Sequence, residues 1–389
     1  MKIFHTADWH LGKLVQGVYM TEDQAYILQQ FLADIDQEKP DVIIVAGDLY
    51  DRAVPPTEAV RLLDDIFAEI VLKRHIPLIS IAGNHDSPGR LHFGSQLMKE
   101  SGLHIVGNLD DKLSPVVLND EFGEVHFHLI PFADPSQVRY VFDDDSIKTH
   151  QSAMKRITDE LKKKMDPEKR HVFVGHAFVT SHGQEEENTS ESERPLAIGG
   201  TECIDAALFE PFHYTALGHL HQAHFVLNET IRYAGSPLKY SISEENHKKG
   251  YLNVDLAEDG QVTIEKKLLQ PRRDMRTVED TIDNLLKSEV SEDYIYVKLL
   301  DDTPIISPME KIRTVFPNAM HVERKMIHQK IDGTEQLTIS RQKMDDLTLF
   351  EAFYKEIVGA EVEDATKQLF QEVLQEGLAK EREVGSDVK

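Results

Sequence analysis

The chain has 389 residues, 40% of them hydrophobic, a single cysteine and a formal net charge of −25 at pH 7. That length allows two or three domains with a sizeable core, while Cys203 alone excludes an internal disulfide and any cysteine-based zinc site and fits a reducing cytoplasm. The charge argues against a protein that coats nucleic acid nonspecifically. No stretch approaches the roughly 20 apolar residues of a membrane span, and Met1 to His5 runs into a polar motif with no signal-peptide core.

Along the chain, Lys2 to Ala7 reads as a strand and Thr21 to Lys39 as an amphipathic helix with Leu28, Phe31, Leu32 and Ile35 on one side. Asp41 to Ala46 contains the continuous apolar run of a strand buried on both faces. Thr57 to His75 is expected to be helical and Ile76 to Ala82 a further buried strand. Such strand–helix–strand units imply a layered α/β domain. After Gly107 the pattern is richer in strands: Val125 to Pro131, His171 to Gly175 and Tyr214 to Gly218, with a helix over Ser146 to Met165. Tyr251 to Asp255 and Gln261 to Leu268 flank the turn Asp259-Gly260 and predict a hairpin. A second sheet packed on the first follows.

Gln270 to Arg273 looks like a boundary, so a first domain is expected over residues 1–269. A smaller α/β pattern occupies 272–328: a helix over Val278 to Ser288, a strand over Tyr294 to Leu300, a helix over Pro308 to Phe316 and a strand over His321 to Ile327. A polar linker, Gln329 to Arg341, leads to a segment at 342–382 with two amphipathic helices, about Asp346 to Val358 and Glu363 to Lys380. Their apolar stripes are too large for two short helices to bury alone, so they either meet a partner or dock back on the main body. Carboxylates concentrate in Gln184 to Glu193 and from Asp345 onward, away from the motifs described next.

Five motifs carry chemistry: Asp8-Trp9-His10, Gly47-Asp48 through Asp51-Arg52, Gly83-Asn84-His85-Asp86, Gly175-His176 and Gly218-His219-Leu220-His221. Four sit at the downstream end of a buried strand, where open α/β sheets place their ligands. Each motif alone is common by chance, and a lone core histidine is usually structural. As an ordered set they demand a ligand, because unpaired polar groups there would cost a few kcal/mol each. Carboxylate, amide and imidazole donors suit manganese, iron or zinc better than calcium. Two such ions about 3.5–4 Å apart clamp a phosphoryl group from both sides.

Over roughly residues 1 to 260 the ordered motifs resemble those of the calcineurin-like metallophosphoesterases. The resemblance implies a two-sheet αββα sandwich with a small α/β capping domain and a C-terminal helical tail. It implies two divalent metal ions, Mn²⁺ foremost: the first held by Asp8, His10 and His221, the second by Asn84, His176 and His219, with Asp48 bridging. His85 would face the phosphate as proton donor or charge stabiliser. Asp51 would orient His85, and Arg52 would contact a phosphate oxygen, a surface ion pair being its other reading.

Within that superfamily, Ala7 to Gly12, Ser87 to Leu91, Tyr233 to Ser241 and Lys248 to Gly250 resemble the SbcD nuclease family. That likeness implies a Mn²⁺-dependent enzyme cutting DNA ends and hairpins in repair, recombination and replication. It implies 3′-to-5′ exonuclease and single-strand endonuclease activity, and a cytoplasmic homodimer within a heterotetramer with an SbcC-type coiled-coil ATPase. The absence of a phosphate-binding Gly-x-x-x-x-Gly-Lys-Ser/Thr loop places any ATP hydrolysis on such a partner. Lys13, Arg90, Lys239, Lys248 and Lys249 are possible phosphate contacts. A small-molecule phosphodiesterase or phosphatase of the same superfamily, and a non-enzymatic scaffold retaining the metals, are the rival readings.

Overall fold

The computed structural model describes residues 1–181, 203–301 and 303–324 in full and part of 347–374. The acidic run Gln184 to Glu193 and the linker Gln329 to Arg341 lie outside the described residues. Met1–Asp301 with Ile305–Arg324 forms one compact unit, and the rest of the chain forms a second.

The larger unit is built on two six-stranded sheets. In chain order the strands of the first are β1 (Lys2–Thr6), β2 (Val42–Val45), β3 (Leu78–Ile81) and β4 (Leu103–Val106). These four are parallel neighbours. The second sheet contains β5 (Val116–Asp120), β6 (Gly123–Ile130), β7 (Arg170–His176), β8 (Tyr214–Gly218), β9 (His224–Val226) and β10 (Asn228–Tyr233). The expected hairpin, β11 (Gly250–Leu256) and β12 (Val262–Leu268), returns to the first sheet, where β11 pairs antiparallel with β1.

Strand alternation explains the layering. In β2, Val42 and Ile44 face one way and Ile43 and Val45 the other. The first pair joins Ile79, Ile81, Val172, Val174 and Ala216 in a core between the sheets. The second pair joins a core against the helices Thr21–Glu38 and Thr57–Ala68, in which Ile27, Phe31, Ile66 and Phe67 are buried. The helix His150–Lys164 covers the far side of the second sheet with Met154, Ile157 and Leu161 against Phe173. Helix, sheet, sheet, helix is therefore the order of layers.

Two expectations need correction. The helix predicted over Thr57 to His75 is α-helical only to Ala68 and continues as a wider π-turn, Glu69–Lys73, which brings consecutive Ile70 and Val71 inward. The helix predicted over Val278 to Ser288 begins as strand and is short: β13 (Met275–Asp280) pairs Val278 with Val297, and only Ile282–Leu285 is helical. With β14 (Tyr294–Leu299) and β15 (Ala319–Arg324) it makes a parallel three-stranded sheet.

Polar ties join this small sheet to the helix Thr21–Glu38 and to the loop at Glu245. Buried Asp23 accepts hydrogen bonds from Tyr294 Oη at 2.6 Å and Arg273 at 3.2 Å. The Glu245 carboxylate accepts the Thr277 N–H at 2.8 Å.

In the second unit, residues 347, 348, 350, 351, 354 and 355 are helical, as are 364–371, 373 and 374. Phe350 stacks on Phe370 with ring centroids 4.0 Å apart. Leu369 and Val373 remain exposed. No helix among the described residues is long and apolar enough to cross a membrane.

Candidate metal centre

The turns leaving β1, β2, β3, β7 and β8 converge at one end of the sandwich. Asp8, His10, Asp48, His176, His219 and His221 are buried there and Asn84 is half-buried. His10 Nε2 lies 3.0 Å from His221 Nε2 and 3.6 Å from Asp48 Oδ2. Asn84 Oδ1 lies 2.9 Å from His176 Nε2 and 3.2 Å from His219 Nδ1, with Asp48 Oδ2 3.4 Å from that same His176 nitrogen. Asp48 thus faces two sets of donors at once. Asp8, His10 and His221 offer ligand atoms within 4.8 Å of one another, and so do Asp8, Asp48 and His176.

These donors fit a cation. Asp8 Oδ2 is buried with no hydrogen-bond partner, while its Oδ1 accepts the His219 N–H at 2.9 Å. A bare buried carboxylate oxygen is costly without a positive neighbour. His221 Nδ1 faces the Glu244 carboxylate at 3.1 Å, so Nδ1 carries the proton and Nε2 presents a lone pair towards His10.

The backbone is strained at the same place. Asp8 (φ 54°), His10 (φ 44°), Asp48 (φ 50°) and His219 (φ 107°) all adopt positive φ. Such conformations cost non-glycine residues on the order of 1–3 kcal/mol each and cluster at functional sites. The motif glycines answer a steric constraint, and Gly47, at φ 91°, the backbone one as well. A Cβ on Gly83 would lie 2.1 Å from Asp48 Oδ1, and one on Gly47 would lie 2.3 Å from His176 Nδ1.

Electrostatics tie the groups together. Burial opposes charge on Asp48, yet His176, His10 and His85 hold its carboxyl well below the ordinary range. Burial likewise opposes charge on His176, but Asp48 and then Asp8 outweigh it and lift the imidazole to about 9. Burial pushes Asp8 up to about 7. A metal ligand must shed its proton. A group with a raised pKa keeps its proton until pH climbs through that value, so cation uptake near neutral pH releases protons and tightens as pH rises towards about 9. Calorimetry of Mn²⁺ binding in buffers of different ionisation enthalpy should show this release; a buffer-independent heat would contradict it.

His85 is half-buried, its N–H bonded to Asp48 Oδ1 at 2.9 Å and its ring edge-on to His10 with centroids 4.7 Å apart. Asp51 meets it through the main chain: His85 Nδ1 donates to the Asp51 carbonyl at 2.8 Å. The Asp51 carboxylate instead pairs with Lys13 at 2.8 Å and lies 3.9 Å from His10 Nδ1. Arg52 is exposed in the loop beyond. Besides Lys13, two more of the expected phosphate contacts are otherwise engaged. Lys239 Nζ holds Asp274 and the Glu245 carbonyl, and Lys249 Nζ is buried against Glu244 at 2.5 Å and the His221 carbonyl at 2.8 Å.

Sequence reasoning missed Glu244, which lies in the short helical turn Ile242–Glu244 and is fully buried. Its carboxylate holds His221 and neutralises Lys249, and Lys249 and His221 pull it far below the usual carboxylate range against the cost of burial. A carboxylate behind a ligating histidine fixes tautomer and ring orientation. Glu244→Gln is expected to weaken divalent-metal binding about 10–100-fold, read by competition with a fluorescent chelator. Asp86, named in its motif but given no role of its own, gathers with its carboxylate the N–H groups of Leu49, Tyr50 and Gly83 and so locks two ligand loops together.

This fold and this ring of donors define a phosphoesterase of the calcineurin-like class. A family model described as calcineurin-like phosphoesterase matches residues 1–223, and one described as type 5 capsule protein repressor C-terminal domain matches residues 271–357. The SbcD component of the SbcCD nuclease of Staphylococcus saprophyticus is 38% identical over 366 residues, covering 92% of this chain and 94% of that protein. Its counterpart in Staphylococcus epidermidis is 37% identical, covering 91% and 93%. The chain therefore belongs to the SbcD family of calcineurin-like phosphoesterases, enzymes that use divalent metal ions. A solved dimetal phosphatase from Danio rerio aligns at 12% identity with a TM-score of 0.42, over 69% of this chain and 96% of that one.

Proposed function

We propose that this chain is a Mn²⁺-dependent DNA nuclease that works in complex with an SbcC-type ATPase. The observation that carries the reading is the buried cluster around Asp48, with its bare Asp8 oxygen, in a chain whose relatives of matching length are named as nuclease subunits. Asp8, His10 and His221 would hold one ion and Asn84, His176 and His219 the other, sharing Asp48. When bound, two divalent ions supply Lewis-acid charge to the phosphoryl oxygens and activate the attacking water.

The protein's own share is positioning and proton handling. The Asp51 carbonyl accepts the Nδ1 proton of His85, so the imidazolium form carries a second proton on Nε2, gives that one to the departing sugar oxygen and is left neutral. Arg52 is assigned to a phosphate oxygen of the incoming strand.

Residues 1–269 would then be the nuclease domain, 272–328 a cap that positions DNA, and 342–382 the segment that docks on the ATPase. Exposed Leu369 and Val373 supply apolar contacts for that docking. Phe93, 83% exposed, and Leu97, 81% exposed, are an apolar surface suited to a second copy of the chain. Basic surface from the partner would offset the charge of −25. The setting would be the cytoplasm, in DNA repair, recombination and replication.

The test is hydrolysis with Mn²⁺ of an end-labelled duplex, a hairpin and a cyclic nucleotide, with sedimentation of the same preparation. Degradation of DNA by a two-copy species, trimming duplex from its 3′ ends, is expected. Turnover of the cyclic nucleotide alone would make the protein a small-molecule phosphodiesterase. Metal binding without any turnover would make it a scaffold.

A further inference from the structure

Two neighbouring cavities beside the small sheet share part of their lining. The one nearer the metal centre, of about 330 Å³, is lined by Lys13 and Tyr240 among others; the farther, of about 440 Å³, by Thr277, Lys298 and His321. Gln16, Ile242 and Tyr296 line both. The near end adjoins the donors: the Tyr240 ring lies 5.7 Å from that of His10 and 5.9 Å from that of His221.

The far end is one face of the three-stranded sheet. Ile295, Val297 and Leu299 of β14 point into that domain's own core with Ile312 and Phe316. Alternation therefore turns Tyr296 and Lys298 to the opposite face. There Tyr296 is paired in register with His321, their ring centroids 6.0 Å apart. His321 is 49% exposed.

Tyr296 is half-buried, one side packed on the main core, and its remaining surface lines the cavity with His321; aromatic rings lining such a cavity are a surface on which bases stack. The charges beside them are already balanced, since Glu323 lies 3.5 Å from Lys298 and 3.9 Å from His321. A path for phosphates would instead carry unopposed cations. The surface is thus better matched to the flat face of a base than to the backbone. A base inside a duplex has both faces covered by its neighbours, and a terminal pair offers only its outer face, so an unpaired base fits between such rings most readily.

Resting on the nuclease reading, we propose that Tyr296 and His321 stack an unpaired nucleobase of the strand whose phosphodiester lies at the metal centre. They are positioning residues. They select substrates with a melted or single-stranded end, and they touch none of the reacting atoms.

The experiment uses the full-length protein with Mn²⁺ and three substrates: a single-stranded oligonucleotide, the same oligonucleotide bearing abasic sites, and bis(p-nitrophenyl) phosphate. Tyr296→Ala should raise KM for the oligonucleotide roughly tenfold with kcat little changed, and Tyr296→Phe should restore it. Abasic DNA should be cut by the alanine variant as it is by the unaltered protein. Hydrolysis of the small diester should be the same in both. His321→Ala should move KM in the same direction, which keeps the test available if Tyr296→Ala folds poorly.

An unchanged KM in both alanine variants, with normal cutting by the unaltered protein, overturns the stacking assignment alone. An equal loss on the small diester shows a structural role and overturns it too. If the unaltered protein hydrolyses the small diester but no DNA, the nuclease reading itself is wrong and the inference goes with it.

Discussion

Replacing His85 with glutamine is expected to lower phosphodiester turnover about 10²–10⁴-fold, the range for loss of a general acid, while two divalent ions per chain stay bound. The separation follows from how the residue is attached. Its contact to Asp48 is made by the main-chain N–H at 2.9 Å, which glutamine keeps. Its side chain is anchored by the Asp51 carbonyl at 2.8 Å. An amide at this position can still donate a hydrogen bond but cannot release a proton near neutral pH. Inductively coupled plasma mass spectrometry on the dialysed variant gives the metal count beside the rate. Loss of the ions along with activity would mean that His85 holds metal and that its assigned role is wrong.

Asp48→Ala should have the larger effect, removing measurable turnover and binding of both ions together. One oxygen of this residue, Asp48 Oδ2, lies 3.6 Å from His10 Nε2 and 3.4 Å from His176 Nε2, so it is the group both donor sets share. Its other oxygen supports the loop that carries Asn84 and His85. By contrast, Asp8→Ala leaves Asn84, His176 and Asp48 in place and is expected to retain one ion. Isothermal titration with Mn²⁺ distinguishes the two variants by stoichiometry. Two ions bound normally by Asp48→Ala would remove the basis for a shared carboxylate. The alanine also strands the His85 N–H, which costs about 1–3 kcal/mol, so thermal melting should accompany the titration.

Much of the site was legible because its loops follow short buried strands, wholly apolar in Val42–Val45 and broken only by Ser80 in Leu78–Ile81. Val42 to Val45 before Asp48 and Leu78 to Ile81 before Asn84 are buried on both faces, and a polar residue just past such a run has little reason to be there except chemistry. Glu244 carries no such signal. It sits in a polar stretch after no strand, and its counter-ion Lys249 reads in sequence like any surface lysine. Periodicity misled at Val278, Ile282 and Leu285, whose spacing is helical although the first belongs to β13 and only the last two to a helical turn. Strand pairing with Val297 decided the matter, and pairing between distant segments is invisible to a local pattern. The atoms by which Asp51 meets His85 were not legible for a related reason. Spacing can suggest that two residues meet, but not which atoms do the meeting.

Asp8, Asp48 and Asn84 leave strands of the first sheet, whereas His176, His219 and His221 belong to strand ends of the second. Any cation gripped by donors from both layers is therefore a removable cross-link between the two halves of the sandwich. Binding and folding become thermodynamically linked, by RT ln(1 + [L]/Kd) for each ion. At a hundredfold excess over Kd that is about 2.7 kcal/mol per site. Chelation should accordingly loosen the whole domain as well as silence the enzyme.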